Sequence, residues 1–600
     1  MEMSKIKSLI KKYLIHFSYF YHHLGYRIFI AFFLSFFVGL LDGLGLAMFL
    51  PLLQMVDGSA DVNPETLGGM SFLIESIELL GFELNLYLVL GMLLTLFVLK
   101  GIMKFLESYY NVLTQQFFIR KLRFDSLSGL SDFDFKSFVL ADSGRIQNTL
   151  SAEVGRVSNA YAFYFAAVQS GTLVFVYLIL AFFTDPQFAL LVAVGGGATN
   201  LLYNRVYKKT KETSKKITSG GHTFQGMLIQ KVAFYKYLKA TGFIKTYELR
   251  LREAVDYIVK SNKKIGFYNA LLVAAREPMV IFVVVVVIIV QVNVFSQQLG
   301  VIILSLLFFY RSLNSLVMMQ TQWNGFLNLS GSLENMTAFM KELQSQKESN
   351  GVVPFEKFED SICLDNVGFS YGNKMVLTEI DLKIKKNKAY AFVGESGSGK
   401  STLVNLIAGL MPVSTGSITV DGLDLEEVEK LSFKKRIGYI AQEPVIFSDT
   451  IFNNVTQWSE PSPENQKRFW KALEQAAIAD FVLSLPEKEN ANLGSAGILI
   501  SGGQKQRLSI ARELFKDIDI LIMDEATSAL DSETEKIIQE NIEKLKGRYT
   551  LLIVAHRLST IKSADEVILL NHGQIENRGA FSDLIRRSDS FQKMVQLQEI

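Results

Sequence analysis

Six apolar runs divide the first half of the chain, and the second half has none of comparable length. They are Ile28–Leu53, Leu84–Leu106, Ala160–Phe183, Phe188–Tyr203, Met279–Phe295 and Val301–Met319. A helix that crosses a bilayer needs about 20 mostly apolar residues, whereas helices of globular proteins average ~10–14 residues in all. Taken as a set, the runs predict about six spanning helices rather than core helices of a large soluble protein. The fourth is the least regular, because Gly195-Gly196-Gly197 interrupts it and Asn200 follows. After the first run, Met70–Leu80 places Leu73, Ile77 and Leu80 on one helical face and Glu75 and Glu78 elsewhere. That spacing predicts a short amphipathic helix on the outer membrane surface. The polar connections after the second and fourth runs are long and patterned as helices. Lys341–Asp360 is polar, holds Asn350-Gly351 and Pro354, and reads as a linker. Beyond it the pattern becomes that of a soluble domain, with strands beginning at Ile362–Leu364 and Phe369 and a further apolar strand at Tyr390–Val393. The expected architecture is multidomain: an N-terminal all-α, six-helix transmembrane domain over 1–340, a linker over 341–360, and an α/β phosphate-loop ATPase domain over 361–600.

Charge fixes the orientation. The 600 residues are 49% hydrophobic with a net charge of +2, so the overall balance calls for no nucleic acid. Lys5, Lys7, Lys11 and Lys12 precede the first run, and no Lys or Arg lies between Arg27 and Lys100. Asp57, Asp61, Glu65, Glu75, Glu78 and Glu83 lie there instead. The connection after the second run carries Arg120, Lys121, Arg123, Lys136, Arg145 and Arg156, and that after the fourth carries Lys208, Lys209, Lys211, Lys215 and Lys216. Basic flanks stay cytoplasmic, so both termini, both long connections and the ATPase domain are expected in the cytoplasm. The first run is too long for a signal core and reads as a retained membrane helix. Cys363 is the sole cysteine, which excludes an intrachain disulfide and a cysteine-based metal site. Charges inside or beside the runs are Asp42, Lys100, Arg276, Glu277 and Arg311. Such groups are costly in a bilayer and usually face protein or water. Lys100, Arg276 and Arg311 are the candidate substrate-cavity residues. Arg276-Glu277-Pro278 also fits an ordinary surface pair at a helix start.

The strand Tyr390–Val393 leads into Gly394-Glu395-Ser396-Gly397-Ser398-Gly399-Lys400-Ser401, followed by Thr402. This fits the phosphate-binding loop, in which glycines let successive N–H groups curl around phosphate oxygens. Lys400 would reach the β- and γ-phosphates of a nucleotide and the Ser401 hydroxyl would sit on Mg²⁺. About a hundred residues later come Ile500-Ser501-Gly502-Gly503-Gln504 and then the apolar strand Ile520-Leu521-Ile522-Met523-Asp524-Glu525.

Together these motifs resemble the ATP-binding cassette ATPases, and the apolar runs add the layout of an exporter-type half-transporter. The resemblance implies ATP and Mg²⁺ as cofactors. It implies that Tyr371 stacks on adenine, that Asp524 and Gln442 attend the metal, and that Glu525 orients the lytic water. It makes Ser528-Ala529-Leu530-Asp531 the family's D-loop, with Asp531 a nucleotide-site residue, and His556 the switch histidine near the γ-phosphate. Ser501 and Gly503 would contact the γ-phosphate held by a partner's Lys400, so a dimer is required: a homodimer is the economical case and a heterodimer the alternative. Coupling helices would lie near Phe133–Leu140 and Ile229–Tyr237. Two departures are Ile500 in place of the usual Leu, and Gly494-Ser495-Ala496-Gly497, which lacks the family's Glu. The outer amphipathic helix and Leu99-Lys100-Gly101-Ile102 resemble the lipid-linked oligosaccharide flippases, with Lys where those carry Arg. The implied function is an ATP-hydrolysing half-transporter of the inner membrane that exports or flips an amphipathic lipid or lipid-linked saccharide. A peptide or multidrug exporter is the alternative cargo reading, and an ATP-gated channel or membrane regulator the alternative class.

Overall fold

The structure, a computed structural model, describes residues 16–56, 79, 85–184, 186–295, 299–494, 497–524, 540, 543–555 and 561–598. The chain divides into two compact units. One comprises Met1–Phe133 and Ala141–Gln346, the other Asp134–Leu140 and Lys347–Ile600.

The first unit is helical throughout its described residues. Its long helices are Arg27–Ala47, Leu86–Ser131, Val154–Thr184, Pro186–Ala233, Ile244–Phe295 and Leu299–Ser345. Local sequence sets their ends: the Asn85 side chain accepts from Leu88 N at 2.8 Å, and Asp142 caps Ser143–Asn148 through Arg145 N at 3.1 Å. Thr149–Glu153 forms a π turn between Ser143–Asn148 and Val154–Thr184. The helix Leu86–Ser131 has 46 residues. At 1.5 Å per residue such a helix runs about 69 Å, more than twice the hydrocarbon thickness. Its polar half therefore projects beyond the membrane, which is why the long connections read as helices.

Among the described residues three helices are long and apolar enough to cross a membrane: Arg27–Ala47, Leu86–Ser131 and Ser143–Phe183. The last three apolar runs fall within Pro186–Ala233, Ile244–Phe295 and Leu299–Ser345, and Pro278 is accommodated inside the second of these. The expected outer helix Met70–Leu80 lies outside the described residues except for Leu79.

The first span helix seats on the third through glycines four residues apart. A Cβ added at Gly43 would stand 2.0 Å from Leu180 Cδ1, and one at Gly39 2.9 Å from Leu173 Cδ2. Small residues at this spacing let helices approach without a hydrophobic drive, as lipid requires. By contrast Leu90, Leu94, Val98, Ile102 and Phe105 on the second span helix are exposed. Elsewhere in this unit, Phe20, Phe118, Tyr161 and Phe326 bury one another in an aromatic core.

The second unit carries two sheets. One is four-stranded, ordered β2-β1-β4-β5, from β1 (Ser361–Tyr371), β2 (Lys374–Lys385), β4 (Thr415–Val420) and β5 (Leu423–Asp424). The other is ordered β10-β9-β3-β8-β7-β6, from β3 (Ala389–Val393), β6 (Ile437–Ile440), β7 (Ile520–Asp524), β8 (Thr550–Val554), β9 (Glu566–Asn571) and β10 (Gln574–Gly579). β3 and β8 are buried along their whole length, so they read as continuous apolar runs rather than alternating ones.

The segment Asp134–Leu140 belongs to this second unit. Asp134 starts its helix, Phe135–Leu140, by accepting from Ser137 N at 2.9 Å. Phe135 packs against the apolar core that holds Phe369, and Lys136 Nζ lies 5.0 Å from the centre of the Phe369 ring. In the first unit, the helix Pro186–Ala233 ends at Phe234 and Tyr235–Ala240 follows, leaving Val232, Phe234, Tyr235 and Tyr237 exposed.

Candidate functional site

β3, β8, β7 and β6 are parallel neighbours, so their carboxyl ends open on one edge of the sheet. Ligands of open α/β sheets bind at that edge. The chain places its motifs there in turn: the phosphate loop after β3, Asp524 at the end of β7, and Gln442 two residues after β6. Ile440 pairs with Met523, which brings the Gln442 and Asp524 segments side by side. Gln442 is exposed and Asp524 partly buried.

Within the loop, Gly394, Gly397 and Gly399 have φ of 145°, 83° and 99°. These values favour glycine, and a Cβ at Gly394 would also stand 2.1 Å from the Leu570 carbonyl oxygen. Lys400 is buried at the first position of the helix Lys400–Ile407, and its ammonium donates to the carbonyls of Gly394 and Glu395 at 2.9 and 2.8 Å. The loop is thereby held curled by its own lysine. Ser398 Oγ is buried with no hydrogen-bond partner. A buried hydroxyl is normally bonded, so this orphan inside a curl of N–H donors fits a phosphate ligand. Ser401 is exposed and Thr402 half-buried on the following helical turn.

Tyr371 ends β1, edge-on to Phe369 with ring centres 4.9 Å apart, and its hydroxyl lies 3.4 Å from Met411 Sδ. Ser501 caps the helix Gly502–Phe515 in a reciprocal capping box: Ser501 Oγ accepts from Gln504 N at 3.3 Å and Gln504 Oε1 accepts from Ser501 N at 2.8 Å. Ser501 and Gly502 are exposed, and Gly503 is half-buried beside them. Glu525, Asp531 and His556 lie outside the described residues; the first follows β7 directly and the last follows β8 by two residues.

Two contacts escaped the motif reading. The Tyr439 phenol is pushed up to about 12, first by burial and then by the neighbouring Asp524 carboxylate. Arg512, buried, donates from Nε to the Asn454 carbonyl at 2.6 Å, and Asn454 Oδ1 accepts from Phe447 N at 2.9 Å. Burial pulls the Arg512 guanidinium below its ordinary range. The Ser501 helix is thus tied to the segment that follows Gln442. Arg512 lies between Ala511 and Glu513 in a helix of mixed polarity, so the linear sequence held no clear signal for its burial.

Of the membrane charges, Lys100 is paired with the buried Asp42, which also accepts from the Tyr177 hydroxyl. Arg311 is exposed on Leu299–Ser345, and Arg276 lies within Ile244–Phe295.

The ABC transporter family matches residues 377–528. HepA, the heterocyst differentiation ATP-binding protein of a Nostoc species, is 31% identical over 473 residues, covering 77% of this chain and 76% of that one. The chain belongs to the ABC transporters. An ATP-dependent lipid A-core flippase of Cupriavidus metallidurans is 30% identical over 463 residues, 72% of this chain and 73% of its own. That of Syntrophus aciditrophicus is 41% identical over 246 residues, a match that spans only 41% of either chain. A bacterial Atm1-family ABC exporter solved with ATP bound shares the fold, with a TM-score of 0.78 over 96% of this chain and 100% of that one at 22% identity. As an exporter-type ABC transporter with helical membrane and α/β ATPase units in one chain, this protein binds ATP and couples its hydrolysis to transport.

Proposed function

We propose that the chain is one half of a dimeric, most economically homodimeric, exporter of the inner membrane whose cargo is an amphipathic anion, a lipid or lipid-linked saccharide. The observation that carries the dimer is the exposed, capped N-terminus at Ser501-Gly502-Gly503. Its N–H groups and dipole suit the γ-phosphate held by a second copy's Lys400. The exposed turn Val232, Phe234, Tyr235 and Tyr237 supports the same reading, as an apolar surface that this unit leaves uncovered. Flippase relatives support a lipid cargo, and Lys100 and Arg311 supply cations at span level.

In this reading Ser401 and Asp524 hold Mg²⁺ with Gln442 beside them, and Tyr371 is the platform for the base. Bound Mg²⁺ would neutralise charge developing on the transferred phosphoryl group. Glu525 orients the attacking water, His556 attends the γ-phosphate, and Asp531 faces the partner. Basic flanks place the ATPase unit in the cytoplasm.

The test is Glu525→Gln in the full-length protein. Turnover should fall by about 10²-fold or more, while ATP with Mg²⁺ traps a dimer by mass. Near-normal hydrolysis would remove Glu525 from the mechanism, and a nucleotide-loaded protein that stays monomeric with no partner subunit would end the dimer reading.

A further inference from the structure

Two carboxylates are buried between the first and second span helices, and they are satisfied in different ways. Glu107 accepts from Ser35 Oγ at 2.5 Å and from Lys104 Nζ at 2.8 Å, the latter one turn away on its own helix. Its ties end there. Asp42 is bonded across three helices: one oxygen meets the Lys100 ammonium of the second span helix, the other the Tyr177 hydroxyl of the third. The pair is lopsided, since the Asp42 side chain is 4% exposed and that of Lys100 28%. The carboxylate is sealed in while the ammonium keeps an open face. Arg311, exposed on the last long helix, lies within electrostatic range of Tyr177. Among the described residues no carboxylate pairs with Arg311. Among the described residues, Tyr177 thus has one anion, Asp42, and two cations, Lys100 and Arg311, grouped about it, a surplus of +1 over these three.

We propose that Asp42 is a resident counter-ion, displaced from Lys100 when the headgroup of a net-anionic lipid enters, so that Lys100 and Arg311 hold the cargo while Asp42 keeps Tyr177. The proposal rests on the anionic-cargo reading above and deepens it. An ammonium has three donors, so one acceptor replaces another without moving a proton. A buried carboxylate with a second donor tolerates losing the first far better than one with a single partner. The arriving charge of −1 cancels the surplus of +1. A zwitterionic headgroup brings its own cation and leaves that surplus uncancelled. The span-level position selects a lipid over a soluble anion.

The experiment uses the full chain in phosphatidylcholine vesicles with rising phosphatidylglycerol, each variant's ATPase rate being read relative to its own rate without phosphatidylglycerol. Lys100→Gln and Arg311→Gln should lose the response. Asp42→Asn, which removes the competing charge, should reach half-response at an at least about threefold lower phosphatidylglycerol fraction. Tyr177→Phe leaves Asp42 with Lys100 alone and should shift the response the other way, which keeps the idea testable if Asp42→Asn does not assemble. Lys104→Gln should respond as the unaltered protein does. If Lys100→Gln and Arg311→Gln keep the full response, the anionic-cargo reading itself fails. If they lose it while Asp42→Asn or Tyr177→Phe responds normally, only the counter-ion is overturned. A shift with Lys104→Gln equal to that with Lys100→Gln would reduce the effect to general surface charge and overturn both.

Discussion

The two units bury opposite things. In the ATPase unit, Phe392, Ile522 and Leu552 are sealed between layers and the charged side chains lie mostly outside. In the membrane unit, Leu94, Ile102 and Phe105 face outward, while Asp42 and Glu107 are enclosed and paired. The same composition rules give inverted results because the surrounding solvent differs. Water drives apolar groups inward by roughly 25 cal/mol per Å². Lipid gives no such drive, and helices there associate through close backbone packing and satisfied polar groups.

Removing one apolar ring from each unit is the most direct way to break this contrast. Phe392→Ala should destabilise the ATPase unit by about 3–5 kcal/mol, whereas Phe105→Ala should fall within about 0.5 kcal/mol. Thermal unfolding of the purified full chain reads both, and equal losses would contradict the lipid-facing assignment. Adding a methyl tests the other side. Gly43→Ala puts a Cβ 2.0 Å from Leu180 Cδ1; overpacking of this kind costs about 1–3 kcal/mol. An additional Leu180→Ala substitution should restore folded yield, and no loss in the single variant would mean that the helices do not touch there.

The smallest effect sharpens the boundary between the units' environments. His23 sits beside the aromatic core that holds Phe20 and Phe118, and burial above all lowers it from 6.5 to about 4. A folded-state value below the unfolded one means that the unfolded chain takes up the proton first. Stability from this group is therefore complete above about 6.5 and declines as pH falls towards about 4. His23→Phe should flatten part of the loss in melting temperature between pH 7 and 5, and an unchanged slope would remove His23 from the acid response.

What the sequence made legible follows from how locally each feature is encoded. The phosphate loop, the Ser501-Gly502-Gly503-Gln504 motif and the buried strand ending in Asp524 are contiguous, and each is determined by its own few residues. The helix Phe135–Leu140 was foreseen from resemblance, but not that Lys136 would lie over Phe369, more than two hundred residues away. Asp42 and Lys100 were both noted as costly charges, yet a linear reading has no term for their pairing across two helices. It therefore left Lys100 as a lone cation. The close seat of Gly43 on Leu180 was likewise invisible, since a glycine in an apolar run looks the same whether it faces a neighbour or lipid. Glu525, Asp531 and His556 remain readings of the sequence.

Phe369 has a neighbour on each side: Tyr371 edge-on within its own strand, and Lys136 above its face from a segment between the second and third apolar runs. Phe369 therefore joins the end of its own strand to a segment more than two hundred residues earlier. A substitution at Tyr371 that tilts the Phe369 ring would also shift the face over which Lys136 lies. Two stretches far apart in the chain thus lean on one ring, and neither can be repacked without the other meeting the change.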